Sequence, residues 1–265
     1  GEGLRTSYSW RPAQVASVEL LYGRYRHFAF SRHFHPIAAI GVVEKGAMQS
    51  YWQGAEYQVP EKTVILFNAG EVHAPFSLGQ QVWSFRMFYL DDSMLNLLFD
   101  HNQKFTSPFV KDRVLSEVLL KVHRSFQEND VSLRSESLLV SSIPYLQAYI
   151  SSQNKPELLA SGIKIRQAQE YLRENCTQNV TLSGLSQAVG LSQYHLIRSF
   201  HKEVGIPPHT YLMQARVEKG RSLLRSGASI AETAFQTGFV DQSHFSRHFK
   251  RFTGVTPGQY SLFVR

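Results

Sequence analysis

The chain repeats itself once. GLSQYHLIRSFHKEVGIPPHTY, residues 190–211, returns as GFVDQSHFSRHFKRFTGVTPGQY, residues 238–260. His195 aligns with His244, Arg198 with Arg247, Phe200 with Phe249, Gly205 with Gly254, Pro208 with Pro257 and Tyr211 with Tyr260, all at an offset of 49. Two copies are too few for a solenoid and mark a duplicated small unit. Each copy opens with a short helix, LSGLSQAV or SIAETAFQT, for which Thr181 and Ser229 stand as N-caps. Glu232 lies three residues after Ser229, where a capping box places it. A glycine then ends the helix, and Ser192 or Asp241 caps a second one. Helix, short turn, helix is the helix-turn-helix plan, expected over about 182–203 and 230–252.

Helical geometry divides each second helix into two faces. At about 100° per residue, Phe245, Phe249 and Phe252 gather on one side. Ser243, His244, Arg247, Lys250 and Arg251 take the other. In the first copy Leu196 and Phe200 are apolar, while Tyr194, His195, Arg198, His201 and Lys202 oppose them. The phenylalanines read as core and the opposite face as a donor-rich basic surface. Asp241, at the cap, is the only acid from 241 to 252. Between the copies, residues 208–225 read as one helix of roughly 27 Å at 1.5 Å per residue. A rod of that length suits two second helices entering successive major grooves about 34 Å apart.

Charge points the same way. Residues 164–265 hold 13 Lys and Arg against 6 Asp and Glu, whereas residues 1–163 hold 15 of each. The excess of +7 therefore belongs to the C-terminal hundred residues, as expected of a part that meets a polyanion. The single cysteine, Cys176, excludes an intramolecular disulfide. No apolar run approaches the roughly 18 residues that span a bilayer. Together these lead us to expect a soluble cytoplasmic protein without a membrane partner.

The first half has a different rhythm. LLYGRYRHFAF, IAAIGVVEKG, AMQSYWQGAEYQV, TVILFNAG and VWSFRMFYL are short β-branched and aromatic runs separated by turn residues, the pattern of a barrel or sandwich. Beyond them, residues 111–152 carry helical apolar stripes that include Leu115, Val118, Leu119, Val122 and Phe126. Such stripes cover a sheet or join two subunits, and a homodimer through 111–152 is expected. The polar, Pro- and Gly-containing stretch SSQNKPELLASG separates the halves. The predicted organisation is a domain over 1–152, a linker over 153–163 and a helical domain over 164–265.

Residues 164–262 resemble the DNA-binding domain of the AraC/XylS family of bacterial transcription regulators. The carriers are LSQAVGLSQYHLIRSFHKEVGIPPHTYL, Arg216 with Leu223 and Leu224, and SIAETAFQTGFVDQSHFSRHFKRFTGVTPGQY. Thr233, Gly220 and Ser186 depart from the family pattern and predict looser helix packing. RHFHPIAAIGVVEKG and VILFNAGEVHAPF are similar to the cupin-like effector domains of the same family. The fold class implied is α+β in two domains, a cupin-like β-barrel with flanking helices followed by an all-α double helix-turn-helix. The resemblance implies DNA contacts from Gln193, Tyr194, His195, Ile197, Arg198 and Lys202 in one helix. In the other it implies Gln242, Ser243, His244, Arg247 and Arg251.

In the N-terminal domain the candidates for effector binding are His33, His35, Trp52, His73, Trp83 and Arg86. His33, His35 and His73 follow the His-x-His and later His of metal-binding cupins, but Ala39 stands where those carry a glutamate. The expected protein is a sequence-specific DNA-binding regulator controlled by a small-molecule effector, with no cofactor and no catalytic residues. Promoter DNA and the effector are its expected partners, with RNA polymerase a further candidate. The alternatives are a cupin metalloenzyme fused to a DNA-binding domain, with the three histidines as ligands, or an effector-independent regulator.

Overall fold

The computed structural model describes residues 5–12, 17–91, 94–95, 103–127, 142–152 and 160–264. They form two compact units, one built on residues 1–29 and 35–154, the other on residues 30–34 and 155–263.

The first unit is mostly β. Its strands are β1 (Arg5–Trp10), β2 (Val18–Tyr25), β3 (Ala38–Lys45), β4 (Ala47–Trp52), β5 (Ala55–Pro60), β6 (Val64–Phe67), β7 (His73–Ser77), β8 (Trp83–Leu90), β9 (Gln103–Phe105), β10 (Phe109–Val110) and β11 (Ile150–Ser152). Six of them form a sheet in the order β1-β2-β8-β3-β6-β10, three form β5-β4-β7, and β11 pairs with β9. The turn between β4 and β5 is Gln53-Gly54, with φ of 46° and 86°, the paired positive φ of a two-residue hairpin.

β8 lies between β2 and β3, and all eight of its residues are buried because both faces of the sheet are covered. On one face Phe88 and Leu90 join Val18, Leu20, Ile40, Val42, Val64 and Leu66 beneath helix α1 (Arg113–Ser125). On the other, Trp83, Phe85 and Tyr25 pack together, with ring centroids 5.2 to 5.8 Å apart.

Asp112 caps α1 by accepting from the Leu115 amide. The apolar stripe of α1 is spent on this sheet: Leu115, Leu119 and Val122 are buried there. That part of the expected dimer seam is thus core. Residues 142–147 are also helical, and residues 128–141 of the expected helices lie outside the described residues.

The second unit is helical, with α2 (Ala160–Glu174), α3 (Leu182–Val189), α4 (Gln193–Val204), α5 (Pro208–Arg225), α6 (Ile230–Gln236), α7 (Gln242–Thr253) and α8 (Pro257–Val264). α2 begins inside the stretch expected to be linker, which the polar composition did not reveal. Residues 30–34 pack with this unit. Phe34 stacks on Tyr211 at 4.5 Å, and Gln214, 2% exposed, accepts from the Phe34 amide and donates to the Arg32 carbonyl. Among the described residues no helix is long and apolar enough to cross a membrane.

The family departures do not loosen the packing. A Cβ on Gly220 would lie 2.7 Å from the Phe245 ring, so the aromatic fills the space a methyl would take. Thr233 donates its hydroxyl to the Ser229 carbonyl at 2.8 Å, and Ser186 donates to Ser183 at 2.9 Å.

Candidate nucleic-acid interface

Each reading helix is started by a side chain and stopped by a glycine. Ser192 accepts from the His195 amide and Asp241 from the His244 amide. Gly205 and Gly254 each end their helix at φ of 85°, a conformation that costs other residues about 1 kcal/mol or more. Inward, Leu196, Phe200, Phe245 and Phe249 have no exposed surface and Phe252 has 5%. Outward, Gln193, Tyr194, His195, Ile197, Arg198 and Lys202 are all exposed, as are Gln242, Ser243, Arg247 and Arg251.

Two of the predicted readers also have partners within the protein. His244 is half-buried, with its ring 5.2 Å from Phe239 and 4.8 Å from His248. Arg251 donates from Nε to the Ser31 hydroxyl at 2.9 Å. His248 is held neutral: burial foremost, then the charges of His244 and Arg251, lower its pKa to about 4.

A further residue fixes the frame in which the readers stand. Arg216, in the middle of α5, donates from Nε to the Cys176 carbonyl at 2.7 Å and from one terminal nitrogen to Gln178 at 2.9 Å. Its other terminal nitrogen donates to the Gly238 carbonyl at 2.7 Å. The guanidinium therefore ties the turn before the first helix-turn-helix to the turn inside the second. Gly238 is required twice there, by φ of 78° and by a Thr177 carbonyl 2.8 Å from where its Cβ would be. The sequence held Arg216 only as part of a family pattern; an arginine with no acid nearby on its helix face was the signal of a carbonyl clamp.

The N-terminal candidates belong to two units, His33 to the second and the others to the first. His35 and His73 are buried in the first unit with ring centroids 5.2 Å apart. His35 also packs 4.6 Å from Tyr89, and His73 stacks on Phe67 at 4.0 Å. The backbone carbonyl of Glu71 lies 2.9 Å from His73 Nδ1, which orients that ring. Half-buried Trp52 donates to Glu71 at 3.4 Å. Ala39, in the cupin glutamate position, is buried in β3 and pairs with Tyr89 and Phe67, so no carboxylate stands there. His33 packs with the second unit, its Nδ1 2.8 Å from the Ser31 carbonyl, and burial lowers its pKa to about 4.

Trp83 and Arg86 are both held by the protein's own side chains. Trp83 is fully buried among Tyr25 and Phe85, and its Nε1 donates to Ser77 at 3.0 Å, which makes it core. Arg86 lies on the helix-covered face of β8. It donates to Glu44 at 2.9 Å and to Gln127 at 2.7 Å, and one of its terminal nitrogens lies 3.1 Å from His123 Nδ1. Its anionic partner is the protein's own carboxylate. Arg124 reaches the same Glu44 oxygen at 2.7 Å, and the two arginines hold that carboxyl below its ordinary pKa against the opposing effect of burial.

Comparison with known proteins agrees with this architecture. Residues 15–143 match the AraC-like ligand binding domain and residues 185–262 a helix-turn-helix domain. YbfI, an uncharacterised HTH-type transcriptional regulator of Bacillus subtilis, is 32% identical over 227 residues, covering 81% of each chain. A Staphylococcus aureus HTH-type regulator is 26% identical over 83% of this chain, which spans 31% of that longer protein. ToxT from Vibrio cholerae has the same fold, with a TM-score of 0.59 over 99% of this chain and 98% of its own at 17% identity. Carrying both the effector-type domain and the double helix-turn-helix, the chain belongs to the AraC/XylS family of transcription regulators.

Proposed function

We propose that the protein binds promoter DNA sequence-specifically through the outer faces of α4 and α7 and is switched by a small molecule held in its N-terminal unit. The observation that carries this is the matched pair of helices, each anchored by a buried phenylalanine, Phe200 or Phe249, and each presenting Gln and Arg at equivalent exposed positions. Arg198 and Arg247 suit guanine O6 and N7, and Gln193 and Gln242 suit adenine. Lys202 and Arg251 suit phosphate. Arg247→Ala is expected to cost about 1–3 kcal/mol of specific binding. Electrophoretic shift at fixed salt, using DNA selected by the wild-type protein, measures this. Unchanged affinity together with unchanged sequence preference defeats the assignment.

On this reading His33, His35, Trp52, His73, Trp83 and Arg86 are the effector candidates. ToxT has been solved with an unsaturated fatty acid bound, which makes fatty acids reasonable first probes in a thermal-shift screen here. The protein works in the cytoplasm as a homodimer joined through the surface of 111–152 left outside the sheet core, where Val114 and Tyr145 are exposed. RNA polymerase is the further partner that a promoter-bound regulator meets. Light scattering of the purified chain tests the dimer; a monomer at micromolar concentration contradicts it.

A further inference from the structure

The two reading helices share Gln, His and Arg near their starts and differ there at two positions, where α4 alone carries an exposed apolar side chain. At the offset of 49, Gln193 matches Gln242, His195 matches His244 and Arg198 matches Arg247. Tyr194, by contrast, faces Ser243 across the alignment, and Ile197 faces Ser246. Tyr194 is 70% exposed and Ile197 43% exposed, among the largest apolar groups on the surface of this unit. They sit one turn apart between Gln193 and Arg198, on a helix whose remaining outer face is polar. Exposed apolar surface amid base-reading groups fits an apolar feature of the bases, and the major groove has only one, the C5 methyl of thymine. The serines of α7 offer hydroxyls, which accept either hydrogen-bond polarity and have no use for a methyl.

We propose that the two heads read a shared adenine/guanine element but that α4 alone selects thymine beside it, through Tyr194 and Ile197. The operator then holds two non-identical subsites, and the thymine-bearing one fixes which way the protein lies on DNA. This rests on the reading that α4 and α7 both enter the major groove.

The experiment begins by selecting duplexes from a random library with the intact wild-type chain at fixed salt. Each thymine of the selected site is then replaced by deoxyuridine, which removes only the methyl. Uridine is expected to weaken binding about fourfold per contacted methyl in the α4 subsite, from the transfer of one apolar carbon. Less than a 1.5-fold change is expected in the α7 subsite. Tyr194→Ser, at a position exposed enough to leave the fold alone, should reduce the uridine effect in the α4 subsite. Tyr194→Ser combined with Ile197→Ser should abolish it and draw the selected sequence toward that of the α7 subsite. Equal tolerance of uridine in both subsites, with specific binding intact, overturns the proposal and leaves the DNA-reading assignment standing. A selection that returns no sequence preference overturns both.

Discussion

Gly220 shows how a position without a side chain can carry packing. Helix propensity alone says that alanine here gains about 1 kcal/mol. The Phe245 ring lies 2.7 Å from the would-be Cβ and is itself wedged against Phe239 and Phe249 at 5.4 Å each. Overpacking at such a site costs about 1–3 kcal/mol, so we expect Gly220→Ala to lower the denaturant midpoint of the helical unit. A raised midpoint would mean that the ring moves aside freely. The sequence flagged Gly220 as a departure but not its compensation, since Phe245 is 25 residues away and the contact exists only in three dimensions.

His123 makes the same point with charge. It has no exposed surface, its Nε2 lies 3.1 Å from the Leu21 carbonyl, and burial, followed by the charge of Arg86, lowers its pKa to about 3. Arg86 can only donate, so Nδ1 accepts and Nε2 carries the proton, the neutral tautomer. Because its pKa is lowered on folding, His123 stabilises the fold above the unfolded value of about 6.5. That contribution is lost as pH falls from 6.5 toward 3, by at most about 1.4 kcal/mol per pH unit. His123→Gln keeps an acceptor and a donor but does not titrate. Its stability curve between pH 6.5 and 4 should be flatter than that of the wild type. Parallel curves would show that His123 is not the group titrating.

At the scale of elements, the periodicities were legible because each rests on local chemistry. The caps Thr181, Ser192, Ser229 and Asp241 all act as predicted, and the duplicated pattern marked both helix-turn-helix units. What could not be read was which face of β8 met which layer, because both faces are buried and the alternation carries no polarity signal. The Glu44 partner of Arg86 was hidden from the sequence for that reason. How the two helix-turn-helix units are joined was likewise invisible, since α5 alone sets a length and not an orientation. Arg216 sets the orientation through three carbonyls held at 2.7 to 2.9 Å. Removing it strips charged hydrogen bonds from the Cys176 and Gly238 carbonyls, which are at least half-buried, and Arg216→Ala is expected to cost about 1–3 kcal/mol of stability. Arg216→Lys can serve one carbonyl at a time, so it should restore stability in part while leaving the turns free to shift. Duplexes with one extra base pair between the subsites separate the two roles. The wild type should reject them strongly, and Arg216→Lys less so. Equal rejection by both proteins would reduce Arg216 to a purely stabilising residue.

For the molecule as a whole, the partition of charge announced a division of labour. The C-terminal hundred residues hold the entire +7, and the unit that carries the AraC-like ligand binding domain is near neutral. Attraction to DNA is therefore a property of one unit, and an effector bound to the other can change DNA affinity only by favouring one state of the whole chain. Such a shift is limited by the ligand's differential affinity for those states. It is also reciprocal. If a small molecule found by thermal shift alters the dissociation constant for operator DNA by a factor of ten, saturating operator must alter the small molecule's affinity by the same factor and in the same direction. A tenfold change corresponds to about 1.4 kcal/mol of coupling. Isothermal titration of the small molecule into free protein and into the protein–DNA complex, at one salt concentration because DNA affinity depends steeply on it, measures both sides of the cycle. Equal affinities in the two titrations, beside a DNA affinity that changes, would require a further linked equilibrium such as dimerisation. Dilution of the protein would then expose it as a concentration-dependent effector response.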